Sequence, residues 1–121
     1  EELDDIRNRI SRFCQHQFNG VLANLYMSGQ NSMGWHSDNE PELGSDPVIA
    51  SLSLGGQRRF LLRNKKCKDM PTYEIILDPG SLLLMGPGIQ RSWNHSLPKT
   101  MREVRPRINL TFRLIMTKTN L

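Results

Sequence analysis

The spacing of hydrophobic positions changes once along this chain, from helical to alternating. Over residues 1 to about 18, Leu3, Ile6, Ile10, Phe13 and Cys14 recur at helical intervals and form one apolar stripe, which predicts an amphipathic helix. Glu1, Glu2, Asp4 and Asp5 fill its first turn, and Arg7, Arg9 and Arg12 follow. That order suits the helix dipole, and Asp5 with Arg9 makes a well-oriented i, i+4 pair. Asn19-Gly20 is a turn signal and predicts the helix end.

From residue 21 onward the pattern is that of strands. Residues 21–26 read as a short strand whose polar members, Asn24 and Tyr26, share a face. A loop at 28–32 leads into the segment around His36, and a second loop spans 40–47. Strands are predicted at 48–54, 58–63, 72–77 and 81–85, with turn signals at Gly55-Gly56, Asp78-Pro79-Gly80 and Gly86-Pro87-Gly88 and a basic loop at 64–71. Residues 91–96 carry His95, and a polar connection leads to a last strand at 107–115. There Ile108, Leu110, Phe112 and Leu114 alternate with Arg107, Asn109, Thr111 and Arg113. One helix followed by short strands predicts a mainly β fold, a sandwich or barrel with the N-terminal helix packed on it.

Length and composition narrow this further. A chain of 121 residues is expected to form one domain, 1–121, with a core of modest size. The hydrophobic fraction of 37% and the absence of a long apolar run exclude a helical membrane protein. Cys14 and Cys67 are far apart and in unlike contexts, so a disulfide framework is not expected and an intracellular, reducing compartment is. Nuclear placement is expected if the source is eukaryotic and cytoplasmic placement if it is bacterial. The net charge of +4 is compatible with nucleic acid as a partner. A monomer is expected.

Two constellations carry chemistry. Trp35-His36-Ser37-Asp38-Asn39-Glu40 places an imidazole and a carboxylate two residues apart, and in an extended segment both side chains point to one face. His95, in Ser92-Trp93-Asn94-His95-Ser96, is the obvious distant third ligand. Two histidines and a carboxylate with an open side suit non-haem Fe(II), and zinc is the rival ion. A jelly roll would bring the two histidine strands together at one mouth. The second constellation is the strand bearing Arg107, Asn109, Thr111 and Arg113 on one face. Two guanidiniums and an amide make a seat for a dicarboxylate, with Asn24 and Tyr26 adding hydrogen bonds from a neighbouring strand. The plainer alternative is a solvated outer face. Zinc would give such arginines no work, whereas iron with an oxo-acid cosubstrate would.

The chain as a whole resembles the AlkB family of Fe(II)- and 2-oxoglutarate-dependent dioxygenases, which repair alkylated bases. The likeness rests on Asn24-Leu25-Tyr26, His36-Ser37-Asp38-Asn39-Glu40-Pro41, Ile49-Ala50-Ser51-Leu52-Ser53-Leu54-Gly55, Gly80-Ser81-Leu82-Leu83, Trp93-Asn94-His95-Ser96-Leu97-Pro98 and Pro106-Arg107-Ile108-Asn109-Leu110-Thr111-Phe112-Arg113, in family order. The resemblance implies a double-stranded β-helix (jelly roll). It also implies iron on His36, Asp38 and His95. Arg107, with Asn109 and Tyr26, would take the distal carboxylate of 2-oxoglutarate, and Arg113 and Asn24 would hold the end that chelates the metal. Glu40 matches an acidic residue facing the exocyclic amine of the damaged base, a role that would suit a base made cationic by methylation.

By the same resemblance the expected activity is oxidative demethylation of 1-methyladenine and 3-methylcytosine in DNA. Fe(II), 2-oxoglutarate and O2 are consumed or used, and formaldehyde, succinate and CO2 are released. RNA demethylation and a non-catalytic jelly-roll binding module are the alternatives. Arg58, Arg59, Arg63, Lys65, Lys66 and Lys68 cluster around a predicted hairpin, and Lys99, Arg102 and Arg105 precede the last strand. Such groups neutralise phosphates, and Arg58 and Arg59 are the expected substrate contacts among them. The chain starts at the helix before the core, so the family's upstream lid over the base is expected to be missing.

Overall fold

Alternating sequence becomes eight strands because each segment has one side that must be buried and one that need not be. A computed structural model describes residues 1–116. In chain order it contains α1 (Glu2–Cys14), β1 (Gly20–Tyr26), β2 (Met33–His36), a 3-10 turn (Pro41–Leu43), β3 (Ile49–Gly55), β4 (Arg58–Asn64), β5 (Tyr73–Leu77), β6 (Leu82–Met85), the short α2 (Ile89–Ser92), β7 (Trp93–Leu97) and β8 (Arg107–Arg113). The strands form two antiparallel sheets of four, ordered β1-β8-β3-β6 and β2-β7-β4-β5. The chain passes repeatedly from one sheet to the other. This is the expected double-stranded β-helix, mainly β, with the N-terminal helix on its outside.

Two apolar clusters hold it together. Between the sheets lie Tyr26, Leu43, Ile49, Phe60, Leu77, Met85 and Leu97. Outside the first sheet, Ile10 of α1 and Phe18 pack on Ala50 and Phe112, with Ile6, Cys14, Leu52 and Leu110 at the margin. Along β3 the alternation is therefore Ile49 in, Ala50 out, Ser51 in and Leu52 out.

The helix is shorter than its periodicity suggests. Gln15 takes a left-handed conformation and closes α1, four residues before the Asn19-Gly20 turn signal. The reason is Phe18, which is buried beneath the helix and brings the chain back. Its N–H donates to Ser11 Oγ (3.3 Å), and its carbonyl accepts from Arg7 Nη1 (3.0 Å). Phe13, expected in the apolar stripe, is 81% exposed. Among the described residues the helix's ion pair joins Asp4 and Arg7 at 3.7 Å, an i, i+3 pair in place of the expected Asp5–Arg9. Neither the 3-10 turn nor α2 is visible in the periodicity, since each is too short to repeat. The last strand ends at Arg113, two residues before its expected end.

Candidate active site

The middle strand pair of the first sheet builds one wall of the site. β8 lies between β1 and β3, and the register places Asn24 opposite Asn109, Tyr26 opposite Arg107, and Ser53 opposite Asn109. Arg107, Asn109, Thr111 and Arg113 face the second sheet across a cavity of about 220 Å³. The solvated-face alternative does not hold, because Arg107 is 1% exposed and Arg113 8%. On the other side of β8, Phe112 is sealed under α1. The strand is thus polar inward and apolar outward.

Serines on β3 orient this wall. Ser51 Oγ donates to Asn109 Oδ1 (2.7 Å), which leaves the Asn109 amide N–H groups to point elsewhere. Arg107 Nη2 donates to Ser53 Oγ (3.1 Å), and Arg113 Nη2 to Thr111 Oγ1 (3.2 Å). Burial pulls the Arg107 guanidinium below its ordinary pKa; the Tyr26 phenol opposes this by charge and by hydrogen bonding, and nearby Arg58 adds to the lowering. Sequence reasoning passed over Ser51 and Ser53. Their signal was present in Ile49-Ala50-Ser51-Leu52-Ser53, where two hydroxyls take the inward parity set by Ile49.

The opposite side carries the histidines. β2 pairs with β7 so that His36 lies opposite His95, with their rings 4.4 Å apart and edge-on. His36 Nδ1 sits 2.8 Å from the Gly34 carbonyl, so it carries the proton and leaves Nε2 free as a donor to an ion. His95 is buried and stacked on Phe60 at 5.2 Å. Its pKa is lowered from 6.5 to about 4, by burial first and then by the charges of His36 and Lys65. At neutral pH its imidazole is uncharged, the form that binds metal. Asp38 lies past the end of β2, so the strand pleat alone does not aim it. Its N–H donates to Gln90 Oε1 (2.8 Å), and the same oxygen lies 3.1 Å from His95 Nε2. Gln90, on α2 and 2% exposed, therefore ties Asp38 to His95 and is a further residue that sequence reasoning did not find.

One donor atom from each of His36, Asp38 and His95 lies within 4.8 Å of the others, with Asp38 Oδ2 3.8 Å from His95 Nε2. Two imidazoles and a carboxylate at these separations fit a divalent ion of the iron type. The arginine wall fits an anionic cosubstrate. Nε and Nη1 of Arg107 and Nε of Arg113 are buried without a hydrogen-bond partner. Among the described residues neither guanidinium has a carboxylate partner. A buried cation so placed is costly unless an anion joins it.

The expected substrate contacts divide. Glu40 is exposed at the mouth of the cavity, at the start of the 3-10 turn. Arg59 is on the outer face of β4 and is engaged by Glu74 at 3.3 Å. Arg58 is a correction: it is 3% exposed, and three backbone carbonyls accept from its guanidinium, so it does not face phosphate in solution. Arg63 stacks on Trp35 at 4.1 Å, and Lys65 donates to Ser37 Oγ and the Gln90 carbonyl beside the triad. Lys66, Lys68, Lys99, Arg102 and Arg105 remain exposed. No helix among the described residues is long and apolar enough to cross a membrane.

Comparison with known proteins agrees with this geometry. The human alpha-ketoglutarate-dependent dioxygenase alkB homolog 3 is 42% identical over 120 residues, covering 93% of this chain and 42% of its own length. The mouse DNA oxidative demethylase ALKBH2 is 40% identical over 120 residues, covering 94% of this chain and 50% of its own. The chain thus spans half or less of these curated relatives. The structure of OsALKBH1 superposes with a TM-score of 0.60 at 22% identity, over 91% of this chain and 60% of that one, a likeness of fold. The family model of the 2OG-Fe(II) oxygenase superfamily matches residues 1–113, and with a His-Asp-His cluster facing two buried arginines across one jelly roll, the chain belongs to that superfamily, with AlkB homologues as its relatives.

Proposed function

We propose that this domain carries out Fe(II)- and 2-oxoglutarate-dependent oxidative demethylation of alkylated bases in DNA, 1-methyladenine and 3-methylcytosine among them. The observation that carries it is the pair of buried guanidiniums of Arg107 and Arg113, without a carboxylate partner among the described residues, in the same cavity as His36, Asp38 and His95. The names of the relatives support DNA as the substrate class.

In this reading His36, Asp38 and His95 hold the ion, and the Gln90 bridge keeps Asp38 and His95 at their spacing before it arrives. Arg107, with Tyr26 and Asn109, takes the distal carboxylate, while Arg113 and Asn24 hold the other end. Iron with 2-oxoglutarate and O2 supplies the oxidising power that hydroxylates an N-methyl group, after which formaldehyde leaves. The chain's own part is to orient the cosubstrate, to exclude water with Phe60, Leu77, Met85 and Leu97, and to admit the base at the open mouth. Glu40 stands at that mouth, where a carboxylate favours a base made cationic by methylation. The exposed lysines and arginines add sequence-independent phosphate contacts, and the base is extruded or taken from a single strand.

The test supplies iron-loaded protein with 2-oxoglutarate, O2 and oligonucleotides bearing 1-methyladenine, as DNA and as RNA in parallel. Succinate and formaldehyde forming with DNA support the proposal. Products from RNA alone reassign the substrate, and binding without products identifies a non-catalytic module.

A further inference from the structure

Arg58 is a buried guanidinium that the site described above leaves without a role. It lies on β4, two residues before Phe60, and points between the sheets. Nη1 donates to the Ser28 carbonyl (3.2 Å), and Nη2 to the carbonyls of Asn31 (2.7 Å) and Pro98 (2.8 Å). The first two acceptors belong to the connection from β1 to β2, and the third to the connection from β7 to β8. Each connection leaves one sheet and enters the other. Each also joins a strand of the histidine side to a strand of the arginine side: His36 to Tyr26, and His95 to Arg107.

A second contact ties the same connections. Thr100 N–H donates to the Gly29 carbonyl at 2.9 Å. The two backbones are so close that a Cβ at Gly29 would run into the Thr100 carbonyl oxygen. Between this clamp and the cavity lies the Tyr26 ring, with the Arg58 guanidinium 5.7 Å from its centroid and that of Arg107 5.3 Å.

We propose that Arg58 is a positioning residue for the distal carboxylate of the cosubstrate: by clamping the two sheet-to-sheet connections, it sets Tyr26 and Arg107 against each other. The proposal rests on the reading that Arg107 takes a carboxylate. A guanidinium suits the task because its rigid fork reaches three carbonyls in different directions, whereas a lysine ammonium is a single point on a flexible stem. Its effect on the ligand is indirect, through the ring it covers and the strand ends it holds.

The experiment compares wild type with Arg58→Lys, which keeps the charge and loses the fork, and with Gly29→Ala, which keeps Arg58 and forces the connections apart. Calorimetry on Mn(II)-loaded protein reads 2-oxoglutarate affinity, a separate titration reads Mn(II) affinity, and melting reads the fold. Both variants are expected to weaken 2-oxoglutarate by about tenfold and to leave Mn(II) affinity unchanged. A lowered melting temperature with unchanged 2-oxoglutarate affinity overturns the proposal, as does equal weakening of both ligands. If Arg58→Lys does not fold, Gly29→Ala decides. Wild type that binds no 2-oxoglutarate refutes the reading of the cavity itself, a result distinct from variants that bind as wild type does.

Discussion

The two sheets face each other with opposite chemistry. The inward side of the first carries Asn24, Tyr26, Ser51, Ser53, Arg107, Asn109, Thr111 and Arg113 around the cavity and beneath it. The inward side of the second carries Phe60, Leu62, Ile75, Leu77 and Leu97, with His95 set among them and Arg58, its charge met by backbone carbonyls, at one end. Apolar burial on one side stabilises the roll, while buried cations on the other cost stability until an anion arrives. The arginine wall thus belongs to the first sheet and the histidines to the second, while both sheets contribute to the apolar cluster between them. The first sheet tolerates its polar wall because its outer side supplies a separate core under α1.

Substitutions on each side sharpen this contrast. Asp38→Ala removes the only charged donor of the triad and is expected to reduce succinate formation by more than about a hundredfold, since even residues behind metal ligands often cost 10–100-fold. Activity near wild type would remove the triad from the site. On the apolar sheet, Phe60→Ala is expected to lower unfolding free energy in urea by about 3–5 kcal/mol, through lost burial and the cavity left beneath His95.

The histidine gives a pH dependence for the metal-free protein. Its folded pKa of about 4 lies below the ordinary 6.5, so between these values the unfolded chain binds more protons. The contribution is present above pH 6.5 and is lost as pH falls towards 4, by up to about 3 kcal/mol. Replacing His95 with Gln should flatten that segment of the stability profile.

On the polar sheet, Arg107→Met is expected to weaken 2-oxoglutarate binding by about 2 kcal/mol and to stabilise the ligand-free protein by about 1 kcal/mol. Calorimetry and melting measure the two, and a loss of ligand-free stability would contradict the division between the sheets. The smallest effect is expected for Ser53→Ala, at about 1 kcal/mol in 2-oxoglutarate binding, because one hydrogen bond that orients Arg107 is lost while the guanidinium itself stays.

Much of the site was legible because it follows strand parity. Arg107, Asn109, Thr111 and Arg113 alternate with apolar residues, so they could be placed on one face, whereas Asp38 lies past the end of β2 and meets His95 through Gln90 rather than through the pleat. Which face of β8 turns inward was not local information; it depends on α1 covering Phe112. Gln90 escaped notice because a four-residue helix has no periodicity and its partners, Asp38 and His95, come from elsewhere in the chain. Arg58 was misread because it stands in a run of cations, where charge suggests solvent. Its parity with Phe60 and Leu62 carried the correct signal, and Arg59 and Arg63, of the other parity, are exposed.

The strand order has a consequence for how the molecule is made. Among the described residues β8 is the last strand in sequence, lies inside its sheet, and is the one strand that β1 pairs with. Gly20 meets Arg113 and Tyr26 meets Arg107 across most of the chain's length. Contacts of such long sequence separation form slowly and late. During synthesis β1 must wait unpaired until β8 emerges, with the outer core under α1 lacking Phe112 until then. Fold closure and the arrival of both cavity arginines are therefore one event, and a chain that stops short of residue 107 loses them together.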